Sequence, residues 1–317
     1  MSETVLQKLA IVFPGQGSQS VGMLAEMAAD APVVLDTFAE ASEILGYDLW
    51  HRTQNGPADL LNQTACTQPA MLAAGVALWR CWKEQTDIRP AWMAGHSLGE
   101  YTALVCADAL LFTDAIKAVE QRGHAMQNAV PDGVGAMAAI LGLDDQAVIA
   151  ACAQAAQGEV VSAVNFNSPG QVVIAGHSAA VERALALARD AGAKRAIKLP
   201  VSVPSHSALM RPAAQHFAKV LDALAVHAPR IPVLHNIDVA VHPSPADIRK
   251  ALTAQLYSPV RWVETIRALY AAGVVNVIEL GPGKVLAGLN KRIEKAQTAL
   301  AVEDPAGMRA AIEALGA

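Results

Sequence analysis

Residues 91–99 read AWMAGHSLG, a short apolar run, a tight turn and the start of a stretch with helical spacing. A buried strand that turns directly into a helix is typical of an α/β fold. Gly95 and Gly99 flank Ser97 in the pattern G-x-S-x-G, which lifts the serine hydroxyl from the end of the strand. The segment predicts both this fold class and a nucleophilic Ser97. The simpler interpretation is a serine N-cap between two glycines.

Outward from this turn, short apolar runs alternate with amphipathic segments. This alternation predicts an α/β fold, a large hydrolase-like domain with a parallel sheet and helices. Residues 207–226 predict a helix, and residues 233–237 predict a strand of that domain. The middle of the chain shows the order β-α-β-β-α-β, which is the ferredoxin-like arrangement. We therefore predict a catalytic domain over 1–129 and 202–317, with an inserted ferredoxin-like subdomain over 130–201.

Composition excludes several classes of protein. The 317 residues carry a net charge of −5, and no basic run offers a face for nucleic acid. No stretch of 18 apolar residues and no signal peptide is recognisable, so the sequence predicts a cytoplasmic protein without a membrane span. The four cysteines include no C-x-x-C pair, which indicates neither a zinc site nor a disulfide framework. We expect no bound metal.

Three further residues are candidates for the chemistry of a serine nucleophile. His206 lies in a loop entering a helix, where an imidazole can act as general base, although a histidine near a helix N-terminus is the simpler interpretation. Arg122 lies in a helix with apolar flanks and is either a surface residue or a buried fork for a carboxylate. Gln16 lies in a glycine-rich loop after a strand, and that loop matches no phosphate-binding fingerprint.

Six short motifs occur in one order along the chain: FPGQGSQ at 13–19, GHSLGE at 95–100, QRG at 121–123, NFNSPG at 165–170, VPSH at 203–206 and GPG at 281–283. With these motifs the chain resembles, over essentially its whole length, the malonyl-CoA:acyl-carrier-protein transacylases of bacterial fatty-acid synthesis. The resemblance implies that Ser97 takes malonyl from coenzyme A and that His206 is the base. It also implies that a backbone carbonyl near Gln255, rather than an Asp, orients the imidazole.

The resemblance assigns further positions around the serine. It implies that the backbone N–H groups of Gln16 and Leu98 form the oxyanion hole. Arg122 matches the residue that binds the free malonyl carboxylate, and Gln255 is expected to line the same substrate site. His96 and Asn165 lie in the matching motifs and are candidates for a supporting role.

The same resemblance implies a protein partner. The acceptor is expected to be an acidic acyl carrier protein in its holo form, which brings its own phosphopantetheine, so the enzyme needs no cofactor besides its substrate malonyl-CoA. Lys194 and Arg195 are candidates to contact this carrier through surface charge, and two solvated side chains are the alternative. We expect a monomer.

Other functions remain open at this point. An α/β-hydrolase esterase shares the G-x-S-x-G turn but predicts an acid between serine and histidine, and no clear acid lies between Ser97 and His206. A non-catalytic carrier-binding module predicts disrupted catalytic positions. A malonyltransferase of polyketide synthesis or a malonate-decarboxylase subunit would share the motifs. Malonyl and methylmalonyl also stay unresolved, because one methyl is worth about 1–3 kcal/mol.

Overall fold

A computed structural model describes residues 4–316 of the chain; the first three residues and the last residue of the predicted large domain lie outside this range. Its strands form two separate sheets. The strand bounds are Thr4–Phe13 (β1), Ile88–Gly95 (β2), Gly135–Leu141 (β3), Val161–Ser168 (β4), Gln171–His177 (β5), Arg195–Lys198 (β6), Val233–Leu234 (β7), Asn276–Leu280 (β8) and Thr298–Val302 (β9).

Helices pack against both sheets. Their bounds are Ala25–Asp30 (α1), Val33–Leu45 (α2), Leu49–Asn55 (α3), Ala58–Leu61 (α4), Thr64–Gln85 (α5), Gly99–Cys106 (α6), Phe112–Gln127 (α7), Asp145–Ala156 (α8), Ser178–Asp190 (α9), Arg211–Ala223 (α10), Pro245–Gln255 (α11), Trp262–Ala271 (α12), Val285–Ile293 (α13) and Pro305–Ala314 (α14). Side-chain caps begin several of them. The Asp304 carboxylate accepts a hydrogen bond from the N–H of Gly307 at the start of α14.

The larger sheet is parallel, with the strand order β7-β2-β1-β8-β9. Its central strand β1 is buried on both faces, because Leu9, Ile11 and Phe13 pack into one core while Ala10 and Val12 pack into another. Strands β1 and β2 end side by side. The loops after these two strands therefore meet at the carboxyl edge of the sheet, where α/β proteins place their sites.

The smaller sheet is antiparallel, with the order β4-β5-β3-β6. Helices α8 and α9 cover one face through a core of small and branched side chains that includes Ile140, Val148 and Val181. Helix α8 lies between β3 and β4 in the chain, and α9 lies between β5 and β6, so this is the ferredoxin-like order predicted above. The domain boundaries at residues 130 and 201 stay a prediction.

Two predicted elements are shorter than expected. The strand predicted over 233–237 ends at Leu234, because the chain then turns and the N–H of His235 donates to the carbonyl of Ala240. The helix predicted over 207–226 is a 3₁₀ turn, Ala208–Met210, followed by α10. Among residues 4–316, none of the helices combines the length and apolar character needed to cross a membrane.

Candidate active site

The turn between β2 and α6 is as tight as the glycine pattern predicts. A Cβ atom on Gly95 would lie 1.9 Å from the carbonyl carbon of Gly99, and one on Gly99 would lie 2.1 Å from the carbonyl oxygen of Phe13. Only glycine fits at either position. Ser97 between them has a φ of +51°, in the left-handed region that residues with a Cβ rarely adopt. We call this turn, residues 95–99, the elbow.

The structure brings Ser97 and His206 together across 109 positions of sequence. Ser97 Oγ lies 2.8 Å from His206 Nε2. The other ring nitrogen, Nδ1, lies 2.7 Å from the backbone carbonyl oxygen of Gln255. A carbonyl oxygen only accepts hydrogen bonds, so the proton sits on Nδ1 and Nε2 is free to accept one from the serine hydroxyl. A carbonyl thus occupies the place that an Asp holds in a Ser-His-Asp triad.

The surroundings of His206 favour the neutral ring. Its side chain is buried, with 4% of the residue exposed. Burial, followed by the positive charge of Arg122, lowers the pKa of His206 from 6.5 to about 3. A neutral imidazole is the form that can take a proton from an attacking hydroxyl.

Arg122 is a buried cation beside this pair, with 1% of the residue exposed. Its Nη1 donates to Oε1 of Gln68 at 2.9 Å, and its Nη2 donates to Oε1 of Gln255 at 2.9 Å and to Ser97 Oγ at 3.4 Å. No carboxylate in the described part of the chain pairs with it, and its Nε has no partner there. Burial lowers the pKa of this guanidinium. The site therefore holds a positive charge that neutral amides orient but do not neutralise.

The loops that carry Gln16 and Leu98 meet beside Ser97. The loop after β1 packs directly on the elbow, because a Cβ on Gly15 would lie 2.4 Å from the carbonyl oxygen of His96. Leu98 follows Ser97 at the start of α6. Between residues 4 and 316, neither of these two backbone N–H groups donates a hydrogen bond to another protein group. Both are available to an oxyanion at Ser97.

The two supporting candidates differ in their contacts. His96 Nε2 lies 2.8 Å from Oδ1 of Asn167, and its ring packs against Trp262 at 5.6 Å between centroids. Burial lowers the pKa of His96. Asn165 makes no such contact: its buried Oδ1 has no hydrogen-bond partner in the described residues. The structure thus places Asn167, two positions further along the same motif, against His96.

Other predicted residues lie outside this cluster. Lys194 and Arg195 are exposed at the start of the edge strand β6, and neither forms an ion pair with another described residue. The sequence contains a second Gly-His-Ser triplet at 176–178. Its Ser178 is the first residue of α9 and accepts a hydrogen bond from Lys198 Nζ at 3.2 Å. Within the same described range, no three His, Cys, Asp or Glu side chains gather as a metal site requires. All four cysteines are buried free thiols.

Sequence reasoning missed Gln68. It lies on α5 with 1% of the residue exposed, among apolar neighbours such as Met71 and Leu72. A polar side chain inside an apolar helical run is the one available signal, because a buried amide needs a partner. That signal does not identify Arg122, which is 54 positions away, as the partner.

The sequence of the chain matches a known family over nearly all of this structure. The model of the acyl transferase domain family matches residues 10–307. The chain belongs to this family. It is 59% identical over 307 residues to the malonyl CoA-acyl carrier protein transacylase of Salmonella typhimurium, which covers 97% of this chain and 99% of that protein. The Bacillus subtilis protein of the same name is 46% identical over 311 residues, covering 98% of each chain.

Solved structures agree in fold. An acyl carrier protein S-malonyltransferase from Vibrio cholerae matches with a TM-score of 0.94 and 61% identity, covering 96% of this chain and 99% of that one. A malonyl-transacylase, solved in complex with a type II PKS acyl-carrier protein in its holo form, matches with a TM-score of 0.96 and 55% identity. That match covers 97% of this chain and 99% of the other. The resemblance drawn from the six motifs is confirmed.

Proposed function

We propose that the chain is a malonyl-CoA:acyl-carrier-protein transacylase that carries malonyl on Ser97. One observation supports this substrate most directly: the buried Arg122 guanidinium has no carboxylate partner among the described residues, and its Nη2 lies 3.4 Å from Ser97 Oγ. Such a cation suits an acyl group that ends in a carboxylate. The names of the relatives support the same activity.

The first half-reaction forms the acyl-enzyme. Ser97 Oγ attacks the thioester carbon of malonyl-CoA, and its proton moves to His206 Nε2, while the Gln255 carbonyl keeps Nδ1–H in place. The carbonyl oxygen becomes an oxyanion that the N–H groups of Gln16 and Leu98 stabilise. When the intermediate collapses, the C–S bond breaks, and the coenzyme A sulfur takes the proton from His206.

The second half-reaction repeats these steps with another thiol. The phosphopantetheine thiol of the carrier gives its proton to His206 Nε2 and attacks the malonyl ester of Ser97. The C–O bond then breaks, and the serine oxygen recovers the proton. Coenzyme A and the carrier present the same kind of thiol to one site, so a ping-pong order follows from a single binding cleft.

Arg122 selects for an acyl group that ends in a carboxylate. Its charge lies beside the attacking oxygen, and its Nε–H and Nη2–H can meet the two oxygens of a carboxylate as a fork. Gln68 and Gln255 hold the guanidinium plane through neutral acceptors, which leaves the charge for the substrate. An esterase for simple esters has no use for a buried cation at this position.

The experiment that tests this proposal is the trapping of the intermediate. Wild-type protein mixed with labelled malonyl-CoA and quenched in acid should carry one malonyl group on the peptide that contains Ser97. Ser97→Ala should carry none. Ser178→Ala, which alters the serine of the other Gly-His-Ser triplet, is the matched control and should be labelled like the wild type. A stable malonyl adduct on Ser97→Ala would reject the assignment of the nucleophile.

The partner and the pathway are part of the same proposal. The acceptor is an acidic holo acyl carrier protein that binds at Lys194 and Arg195. The enzyme needs no cofactor besides its substrate. A carrier of polyketide synthesis is the second candidate, because one 55% identical malonyl-transacylase was solved with a type II PKS carrier. Competition between a fatty-acid carrier and a polyketide carrier for the malonyl-enzyme would decide. A monomer in the cytoplasm stays a prediction.

A further inference from the structure

The unusual backbone of Ser97 is held by a side chain from a distant segment. A left-handed φ of +51° is sterically unfavourable for serine, so contacts around it must maintain it. Asn236 lies just beyond β7 and provides two of them. Its Oδ1 accepts from the Ser97 N–H at 2.7 Å, and its Nδ2 donates to the Gly95 carbonyl at 2.7 Å. One amide thus holds the backbone on both sides of His96.

Asn236 is itself fixed by a buried carboxylate. Its backbone N–H donates to Oε2 of Glu100 at 2.8 Å, and Oε1 of Glu100 lies 2.8 Å from Nδ1 of His235. All three residues are fully buried. Glu100 belongs to the first turn of α6, and its own N–H donates to the Ser97 carbonyl at 3.1 Å. The hydrogen bonds therefore close a ring from Ser97 through Glu100 and Asn236 back to Ser97.

This ring has two consequences for the reaction. Because Asn236 uses the Ser97 N–H, that amide cannot serve the oxyanion, which leaves the N–H groups of Leu98 and Gln16. The direction of Ser97 Oγ toward His206 also depends on the backbone angle that the ring maintains.

We infer that Asn236 is the positioning residue of the nucleophile, and that Glu100 and His235 fix Asn236. Asn236 touches no reacting atom. It keeps Ser97 in the conformation that places Oγ 2.8 Å from the base. Removing the amide should leave substrate binding intact and slow the attack. The inference rests on the proposed function, in which Ser97 carries the acyl group.

Asn236→Ala removes both hydrogen bonds to the elbow. The matched control is Gln297→Ala. Gln297 directly precedes β9, the edge strand opposite β7, and the Nε2 of its buried amide donates to the Val274 carbonyl. Three quantities are measured for each variant: single-turnover acylation by malonyl-CoA, KM for malonyl-CoA and the rate at which a small phosphonofluoridate labels Ser97. The last probe carries no carboxylate, so it reports on the nucleophile without the malonyl site.

For Asn236→Ala we expect acylation and labelling to fall together by about 100-fold with KM unchanged, because a displacement of about 1 Å of a reacting group can have that effect. Gln297→Ala should keep both rates. Unchanged labelling in folded Asn236→Ala, or a loss confined to KM, would overturn the inference. Equal losses in both variants would also overturn it.

A second variant covers the case in which Asn236→Ala does not fold. Glu100→Gln keeps the size of the side chain and an oxygen that can accept from the Asn236 N–H, but it removes the charge that strengthens this hydrogen bond, so labelling should fall about tenfold. Unchanged labelling there would contradict the ring. If wild-type protein is labelled by the phosphonofluoridate but never transfers malonyl, the proposed function fails, while the comparison of labelling rates still decides the role of Asn236.

Discussion

Arg122→Ala should convert a malonyl-selective enzyme into one without a preference for an acidic acyl group. In the structure, the guanidinium is 1% exposed and donates to the neutral amides of Gln68 and Gln255. A malonyl carboxylate that enters this site in the variant loses its water and finds no opposite charge. Removing one partner of a buried charge pair costs about 2–5 kcal/mol. This cost corresponds to a loss of about 30- to 5000-fold in kcat/KM for malonyl-CoA.

Acetyl-CoA is the internal comparison, because its acyl group has no carboxylate. Its kcat/KM should change far less, and the malonyl-to-acetyl ratio should fall by most of the factor given above. The assay measures kcat/KM for both thioesters with one holo carrier. Arg183→Ala is the matched control: this arginine donates to the carbonyls of Ala155 and Ala156 and pairs with Glu159, all in the smaller sheet region. Its loss should leave the ratio unchanged.

Equal losses for the two thioesters would refute the reasoning. A general loss of structure would also lower both rates, since Arg122→Ala leaves the Oε1 atoms of Gln68 and Gln255 without their donor. The thermal midpoint of each variant is therefore measured alongside the kinetics. A folded Arg122→Ala protein that keeps its malonyl preference would show that the cation does not bind the substrate.

Two further predictions concern the base and the carrier. Because the pKa of His206 in the free protein is lowered to about 3, kcat/KM for acylation, which reports the free protein, should stay level as the pH falls from about 7 to about 5. A decline of kcat/KM centred near the ordinary histidine value of 6.5 would contradict this. Between about pH 6.5 and about pH 3 the unfolded chain binds a proton at His206 that the folded state does not. This group therefore lowers the free energy of unfolding as the pH falls through that range. Reversing both charges, in Lys194→Glu with Arg195→Glu, should raise KM for the carrier at low salt and much less at high salt, with KM for malonyl-CoA unchanged. If the double variant had the wild-type KM for the carrier at both salt concentrations, Lys194 and Arg195 would not be part of the docking surface.

The elbow could be predicted from sequence because its constraint is local. Gly95 and Gly99 lie four positions apart, and a Cβ atom on Gly95 would clash with the backbone of Gly99 within the same turn. The ferredoxin-like sheet was predictable for a similar reason, since its strands and helices follow one another in chain order without interruption. In both cases the pattern and the contact involve the same short segment.

Gln68 and Asn236 could not be predicted in this way. Gln68 acts on Arg122 from 54 positions away, and Asn236 reaches Ser97 from 139 positions away. The strand predicted over 233–237 also leads away from this role for Asn236. Inside a regular strand, its backbone N–H would bond to the neighbouring strand and not to Glu100. The structure ends β7 at Leu234, and the turn that follows lets Asn236 reach the elbow.

Strand irregularity explains why the asparagine beside His96 could not be chosen from sequence. Asn165 and Asn167 lie two positions apart, so a regular strand would point both to one face. Strand β4 departs from a regular register between Ala163 and Asn165 and again between Phe166 and Ser168. The alternation of faces is lost there, and the structure places Asn167 against His96.

The charge of Arg122 links substrate selection to the strength of the base. In the free protein this cation is the second cause, after burial, that lowers the pKa of His206. A bound malonyl carboxylate offsets that charge, so the pKa of His206 rises toward its ordinary value and the imidazole becomes a stronger base. An acetyl group brings no charge and leaves the base weak. The same ion contact that holds malonyl therefore also prepares the proton transfer from Ser97, and selectivity should be expressed in the rate of acylation as well as in binding.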